Sequence, residues 1–515
     1  MRIKPKACST NLLNRREFVA GASALAAFSM AFWTGGCEAC LKEIENRPTR
    51  RNIAELSPSD PIVTTYQSAV AAMKALHSTN PISWEAQANI HYNKCPHGCW
   101  FFLPWHRAYL LYFERICRKL TGNSSFALPY WNWTTSPSIP AVFWGGASNP
   151  LYDATRLIGP TDTADPSWVG ASTIEGILGT PSFTIFASDK PPGGLPTHTG
   201  SGYGELESIP HNNIHGWVGG DMGAFHSPLD PIFWMHHNML DCLWVDWNIN
   251  LGNANTSDTS WTNYTINDFV DENGNPVSVQ VIDTVLYPLF LYQFEPCAPQ
   301  EAGQQPPMKG DQLRNFLRAG APSVLTFGPP HATTEALSVP VGKPVKTTIP
   351  LEKGAFDNVL GADKRNRLVL TLEGVEIPPP SEFFLRVFLD KEDASADTST
   401  DDPHFAGSFG IFSDPSAMGG MQGEHSSRFL VDITDTAQRL NRGGALPIDH
   451  MDFTLVAVAY KHRTSRDQHE SKAQHEPRDQ RKSRDQHESQ DQHEQVVKVQ
   501  RMVLATARLE QPARS

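Results

Sequence analysis

The sequence predicts an α+β multidomain chain, in which a mainly helical, four-helix-bundle core is followed by an antiparallel β-sandwich domain. Three observations carry that expectation. Apolar residues recur at helical spacing behind cap and proline signals between about residues 60 and 250. Histidines gather in two groups of three within the same stretch. Beyond Ser338 the pattern changes to short strand-like segments separated by turns. At 515 residues the chain is long enough for two domains after a leader. Its formal net charge of -12, without a dominant basic stripe, argues against nucleic acid as a partner and would not deter a neutral small molecule.

The chain opens on a leader. Asn14-Arg15-Arg16-Glu17-Phe18 precedes an apolar, small-residue stretch from Val19 to Trp33, which reads as a twin-arginine export signal over residues 1–36. That stretch is short for a bilayer and is interrupted by Gly21 and Ser29, so no stable membrane insertion is expected after its removal. The expected location is periplasmic or secreted. Eight cysteines suit that compartment, but the pairing of Cys37, Cys40, Cys99, Cys117, Cys242 and Cys297 cannot be read from the sequence.

A core over residues 45–297 follows. Asp60-Pro61 caps and starts a helix from Ile62 to Leu76. A second helix spans Ser83 to about Asn93 and bears His91. Pro104 opens a third, with Leu110, Leu111, Phe113 and Ile116 on its apolar face, Gly122 past its end and His106 in its first turn. Asp230-Pro231 opens a fourth, which runs to about Trp247 and bears His237. From Thr134 to Gly204 the chain is rich in Pro, Gly, Ser and Thr, a loop that either shapes an entrance or elaborates the surface. A turn from Asp268 to Pro276 leads into a strand, Val277 to Val281.

A linker over residues 298–337 leads to the sandwich expected over 338–515. Its strands are read at Val345–Ile349, Leu368–Leu372, Phe383–Leu389, Phe453–Tyr460 and Val496–Leu509. The repeated Arg466-Asp467-Gln468-His469-Glu470 and its relatives make residues 461–494 a low-complexity insertion without a hydrophobic period.

The chemistry lies with the histidines. His211 and His215, four apart, share one helix face and reach a single metal ion, with His237 as the third ligand from another helix. His91, His97 and His106 form the second group. Two sets of three imidazoles, with no carboxylate or thiolate completing either, suit a pair of copper ions with positions open for dioxygen. A zinc hydrolase would carry Glu next to the first histidine of such a pair, as a base; Asn212, Asn213 and Ile214 stand between these two.

Ala88-Asn89-Ile90-His91, Trp105-His106-Arg107, Leu206-Glu207-Ser208-Ile209-Pro210-His211, Asp230-Pro231-Ile232-Phe233 and His236-His237 resemble the tyrosinase, catechol oxidase and polyphenol oxidase family from about Pro48 to Glu295. The resemblance implies two copper ions, dioxygen as co-substrate, small phenols as substrates, and the six histidines His91, His97, His106, His211, His215 and His237 as ligands. It also implies that Glu207, with Asn212, holds a water that takes a phenol proton, Glu207 as a helix-capping acid being the alternative. Phe233 is implied as an aromatic wall of the site, or as plain core packing. A thioether from Cys95 to His97 is implied, against a free thiol or a disulfide with Cys99. His236 is assigned a structural role and His77 is the fallback for His91. The family's gate above the second copper, often a phenylalanine in plant members, falls at Ala224 or Phe225 by the same resemblance. Phe290-Leu291-Tyr292 resembles the family's closing element, with Arg50 or Arg51 as its partner. Phe405-Ala406-Gly407-Ser408-Phe409 resembles the C-terminal domain of plant members, a domain that can cover the copper site and keep the enzyme latent. The expected activity is oxidation of o-diphenols to o-quinones, together with ortho-hydroxylation of monophenols. Catechol oxidase without that second activity, and a hemocyanin-like oxygen carrier, are the alternatives.

Overall fold

The computed structural model describes residues 47–197, 202–299, 324–351, 359, 365–376, 382–412, 427–442, 446, 449–463 and 495–510. The leader, Cys37, Cys40, His198 and the repeats after Arg463 lie outside them. Four helices form where the caps predict them. In α1 (Pro61–Ala75) the Ile62 amide donates to Asp60 Oδ1 at 2.8 Å, and Val63, Tyr66, Ala69, Val70 and Met73 make a buried stripe. In α2 (Trp84–Lys94) Ser83 plays the same part for Ala86. The next helix, α3 (Phe102–Thr121), starts before Pro104 rather than at it, and stops where Gly122 adopts a left-handed φ of 68°.

The chain between Thr134 and Gly204 is not a bare loop. Short helices at Pro166–Val169, Ala171–Gly179 and Phe183–Phe186 fold it onto the core through Trp168, Ile174 and Phe186. A π turn at Glu207–His211 then runs into α4 (Asn212–Val218). Pro210 lies inside this turn, and because proline has no amide hydrogen an ordinary helical ladder would be broken there; the wider winding bonds the Asn212 amide back to Glu207 O instead. Helix α5 (Ile232–Val245) is capped by Asp230, and stacks Trp234 on Phe113 of α3 with ring centroids 3.4 Å apart.

A hairpin, β1 (Thr265–Val270) with β2 (Pro276–Gln280), leads into α6 (Val281–Phe290), a helix that the sequence reading did not anticipate. The chain then returns to its start. Arg50 lies flat on the Tyr292 ring at 3.5 Å, and its guanidinium donates to Glu114 at 3.0 Å and to Asp241 at 3.1 Å. Arg50 rather than Arg51 is therefore the partner of the closing element. Cys242 and Cys297 form a disulfide between α5 and the end of the helical region.

The C-terminal region begins earlier than expected. Strand β3 (Val324–Thr333) lies inside the segment read as linker, yet it pairs with the last strand of the chain. After it come β4 (Leu337–Pro340), β5 (Pro344–Pro350), β6 (Asn366–Glu376), β7 (Phe383–Leu389), β8 (Phe405–Phe409), β9 (Ser427–Asp432), a helix α7 (Thr434–Arg442), β10 (His450–Ala459) and β11 (Val496–Glu510). One antiparallel sheet runs β8-β7-β10-β5. The other runs β9-β6-β11-β3, with β4 also on β11. Side chains from both sheets, among them Leu370, Leu385, Leu455 and Leu504, share one buried cluster. Lys461–Arg463, expected to open the loose insertion, are instead tied down where described: His462 Nε2 lies 3.2 Å from Gly216 O and the Arg463 amide donates to Leu157 O.

Candidate dicopper centre

The elements above bring six histidines to one buried place. His91 comes from the last turn of α2, His97 from the loop after it, and His106 from α3. Their rings form a near-equilateral triangle with centroids 5.4 to 5.5 Å apart. His211 stands at the end of the π turn, His215 on α4 and His237 on α5, with centroids 4.5, 5.0 and 5.4 Å apart. The triangles face each other: His106 lies 4.4 Å from His237 and His97 5.5 Å from His211. Helix α1 bears none of the six, so the ligand-bearing elements differ from the four helices expected. His77, the fallback, is exposed and bonded to Thr79.

Hydrogen bonds fix the rings. Nδ1 of His91 lies 2.7 Å from Phe225 O, that of His106 2.8 Å from Phe102 O, that of His211 2.8 Å from Asn212 Oδ1 and that of His215 2.6 Å from Met222 O. Each Nδ1 faces an oxygen acceptor and so carries the proton, which leaves the Nε2 lone pair for a metal. Nε2 of His106 and of His211 are buried without a hydrogen-bond partner, and the Nε2 atoms of His215 and His237 converge to 3.2 Å. Burial pushes His106 and His215 down to about 3, and holds His211 and His237 well below the ordinary histidine range. Neutral imidazoles with converging lone pairs, and no thiolate or carboxylate among them, are a donor set that fits copper.

His236 is a fourth buried imidazole in the second group. The Trp133 indole donates to its Nδ1 at 3.2 Å, and an indole can only donate, so the ring proton of neutral His236 sits on Nε2. That tautomer offers Nε2 no lone pair for a metal. Phe233 packs edge-on to His91 at 5.0 Å and tilted against His237 at 4.1 Å. The gate was expected above the second group, but Phe225 lies over the first instead, parallel to the His97 ring at 5.5 Å, because its backbone carbonyl is bonded to Nδ1 of His91. Cys95 is buried beside His91, whose carbonyl accepts its amide hydrogen.

Glu207 and Asn212 sit beside the histidines, but their bonds are directed elsewhere than to each other. Glu207 accepts from the Gly98 amide at 2.7 Å and from the Ser188 hydroxyl at 2.6 Å. Burial raises its carboxyl to about 8. The amide nitrogen of Asn212 donates to Gly410 O at 2.9 Å. Ser188, at a φ of 150° rare for any residue but glycine, was not foreseen as a partner of Glu207.

The residue of the C-terminal region that reaches the site is one the sequence reading did not name: Phe412, from the segment after β8. Its ring lies 4.4 Å from His215, 5.1 Å from His97, 5.6 Å from His211 and 5.2 Å from Phe225, and it is 2% exposed. An aromatic side chain of the C-terminal region thus covers both groups of histidines. Nothing local in the sequence around Phe412 marks it; only the docking of the two regions brings it there.

Two facing sets of buried imidazoles inside a helical core define a protein built to hold a pair of metal ions. Residues 67–178 and 152–250 match the model of the common central domain of tyrosinase. The chain is 29% identical over 473 residues to tyrosinase HcTyr1 of Hahella sp. (strain CCB-MM4), covering 79% of this chain and 95% of that protein. It is also 29% identical over 419 residues to the chloroplastic (+)-larreatricin hydroxylase of Larrea tridentata, covering 71% and 68% of the two chains. In fold it is similar to a latent aurone synthase (polyphenol oxidase), with a TM-score of 0.64, 22% identity and 90% of each chain covered. The central region of the chain, over the residues matched, carries the common central domain of tyrosinase, and the chain is similar to tyrosinases and polyphenol oxidases over most of its length. It is an oxidoreductase of that type, with a coupled binuclear copper centre and phenols as its substrates. Among the described residues no helix is long and apolar enough to cross a membrane.

Proposed function

We propose that this protein oxidises o-diphenols to o-quinones with dioxygen and also hydroxylates monophenols ortho to their hydroxyl, within a catalytic domain spanning residues 45–297. His91, His97 and His106 hold one copper; His211, His215 and His237 hold the other. When bound, the copper pair supplies two electrons to dioxygen, one from each ion. Phe233 and Phe225 supply apolar walls against which a phenol ring packs. Glu207 supplies the proton acceptor, through a water shared with Asn212.

The observation that carries this reading is that Glu207 and Asn212 are both fully buried on the turn that bears His211, with Asn212 bonded to the His211 ring. We further infer that the protein is exported by the twin-arginine signal, that the C-terminal sheets form a sandwich, and that Phe412 keeps phenols out while that region is docked. Oxygen uptake by copper-loaded protein, before and after limited proteolysis, with tyrosine and with its catechol counterpart, tests the activity. Uptake with both supports the reading. Uptake with the catechol alone makes it a catechol oxidase. A reversible oxygen band with no quinone from either makes it a carrier.

A further inference from the structure

Asn212 is held from two sides. Its Oδ1 lies 2.8 Å from Nδ1 of His211, and its amide nitrogen donates to Gly410 O at 2.9 Å. Gly410 belongs to the C-terminal region and stands two residues before Phe412. The contact is close and backbone to backbone as well, for the Gly410 amide donates to Ser208 O at 2.9 Å. A Cβ on Gly410 would meet Asn213 Oδ1 at 2.7 Å and the Tyr460 hydroxyl at 2.8 Å, two groups already bonded to each other at 2.9 Å. Only glycine lets the carbonyl come this near. One short segment therefore acts on the site in two chemically different ways. The Phe412 ring fills space over the histidines, while the Gly410 carbonyl takes an amide hydrogen from Asn212.

We propose that the docked C-terminal region controls the two phenol oxidations separately: Phe412 excludes every phenol, whereas Gly410 holds the Asn212 amide away from the water it would share with Glu207, so monophenol hydroxylation stays off even where the ring is gone. This rests on the reading of Glu207 and Asn212 as a water-holding pair. A catechol brings a second hydroxyl oxygen beside the first, which helps its own proton leave. A monophenol has one hydroxyl and depends on the protein for a proton acceptor. Taking Asn212 out of the pair therefore affects the monophenol reaction selectively.

The test uses the full chain loaded with copper and compares wild type, Phe412→Ala and Phe412→Ala with Gly410→Ala, with tyrosine and with its catechol counterpart. Phe412→Ala is expected to raise the catechol rate about tenfold while the tyrosine rate rises less than about twofold; adding Gly410→Ala raises the tyrosine-to-catechol ratio about tenfold, less than the roughly hundredfold or more of a whole positioned proton acceptor, because Glu207 stays in place throughout. Equal gains for both substrates in Phe412→Ala overturn the proposal, and that arm decides even where Gly410→Ala fails to fold. A second readout needs no activity. In copper-free protein labelled with 15N-asparagine, the Asn212 side-chain signal, identified by its loss in Asn212→Asp, should move in the double variant and stay in Phe412→Ala. No movement in the double variant overturns the Gly410 contact. Movement without a change in the ratio leaves the contact standing and overturns the proposal through the water-holding reading beneath it.

Discussion

At the scale of single residues, four of the six imidazoles, His91, His106, His211 and His215, each have a distinct anchor at Nδ1, which makes their loss separable. His215→Ala removes one lone pair of the second group while leaving the Met222 carbonyl that held it, so copper per chain should fall from about two to about one by elemental analysis. A content still near two would show that His236 takes its place. Glu207→Gln keeps the shape of the side chain but removes the proton acceptor. The expected loss is about a hundredfold in monophenol hydroxylation against less than about threefold in diphenol oxidation, measured on uncovered protein. The gathering of the histidines was legible because they lie in short motifs whose spacing is itself the signal. Phe412, Gly410 and Ser188 were not, because their place beside those motifs is set by the packing of distant segments and leaves no local pattern.

At the scale of elements, side-chain caps and prolines located the helices, since an Asp or Ser before a first-turn proline or an apolar run has few other uses. The reading failed where local signals conflict with long-range pairing. Gly328-Pro329-Pro330, inside the segment expected as linker, lies in β3, at the edge of its sheet, where missing amide hydrogens are tolerated and the pairing shifts register. Pro288 hid α6 in the same way. The elements of the core converge on Arg50, whose charge is fully buried between Glu114 of α3 and Asp241 of α5. Desolvation opposes that charge and the two carboxylates restore it. Arg50→Met leaves both acids buried without their shared partner and should cost roughly 3–5 kcal/mol, read as a melting temperature lower by roughly 10 °C. An unchanged melting temperature would mean that Arg118 and Arg107, the other partners of these acids, suffice.

At the scale of the whole molecule, the division into a helical and a sheet region was legible from the change of period, but the face on which the regions meet was not. That face is polar as well as aromatic. Arg386 pairs with Asp165, Arg428 with Asp189, and Glu205 of the helical region accepts the Asp432 amide at 3.1 Å. Burial and the nearby Asp432 raise the Glu205 carboxyl from 4.5 to about 8. The folded form therefore binds this proton more tightly than the unfolded chain. Its contribution is full below about 4.5, declines as pH rises between the two values, and is lost above about 8. Glu205→Gln, neutral throughout, should flatten that decline, an effect of order a few kcal/mol, in melting temperatures recorded from pH 5 to 8. Parallel curves for the two proteins would refute it. The same face also includes Tyr203, whose amide donates to Arg428 O and whose carbonyl accepts from Leu430, so that it lies along β9, the outer strand of its sheet. Among the described residues the helical region thus does for β9 what a neighbouring strand would do. A C-terminal region cut free would bare that row of backbone donors and acceptors, a template for its own copies, and would be prone to aggregate edge to edge.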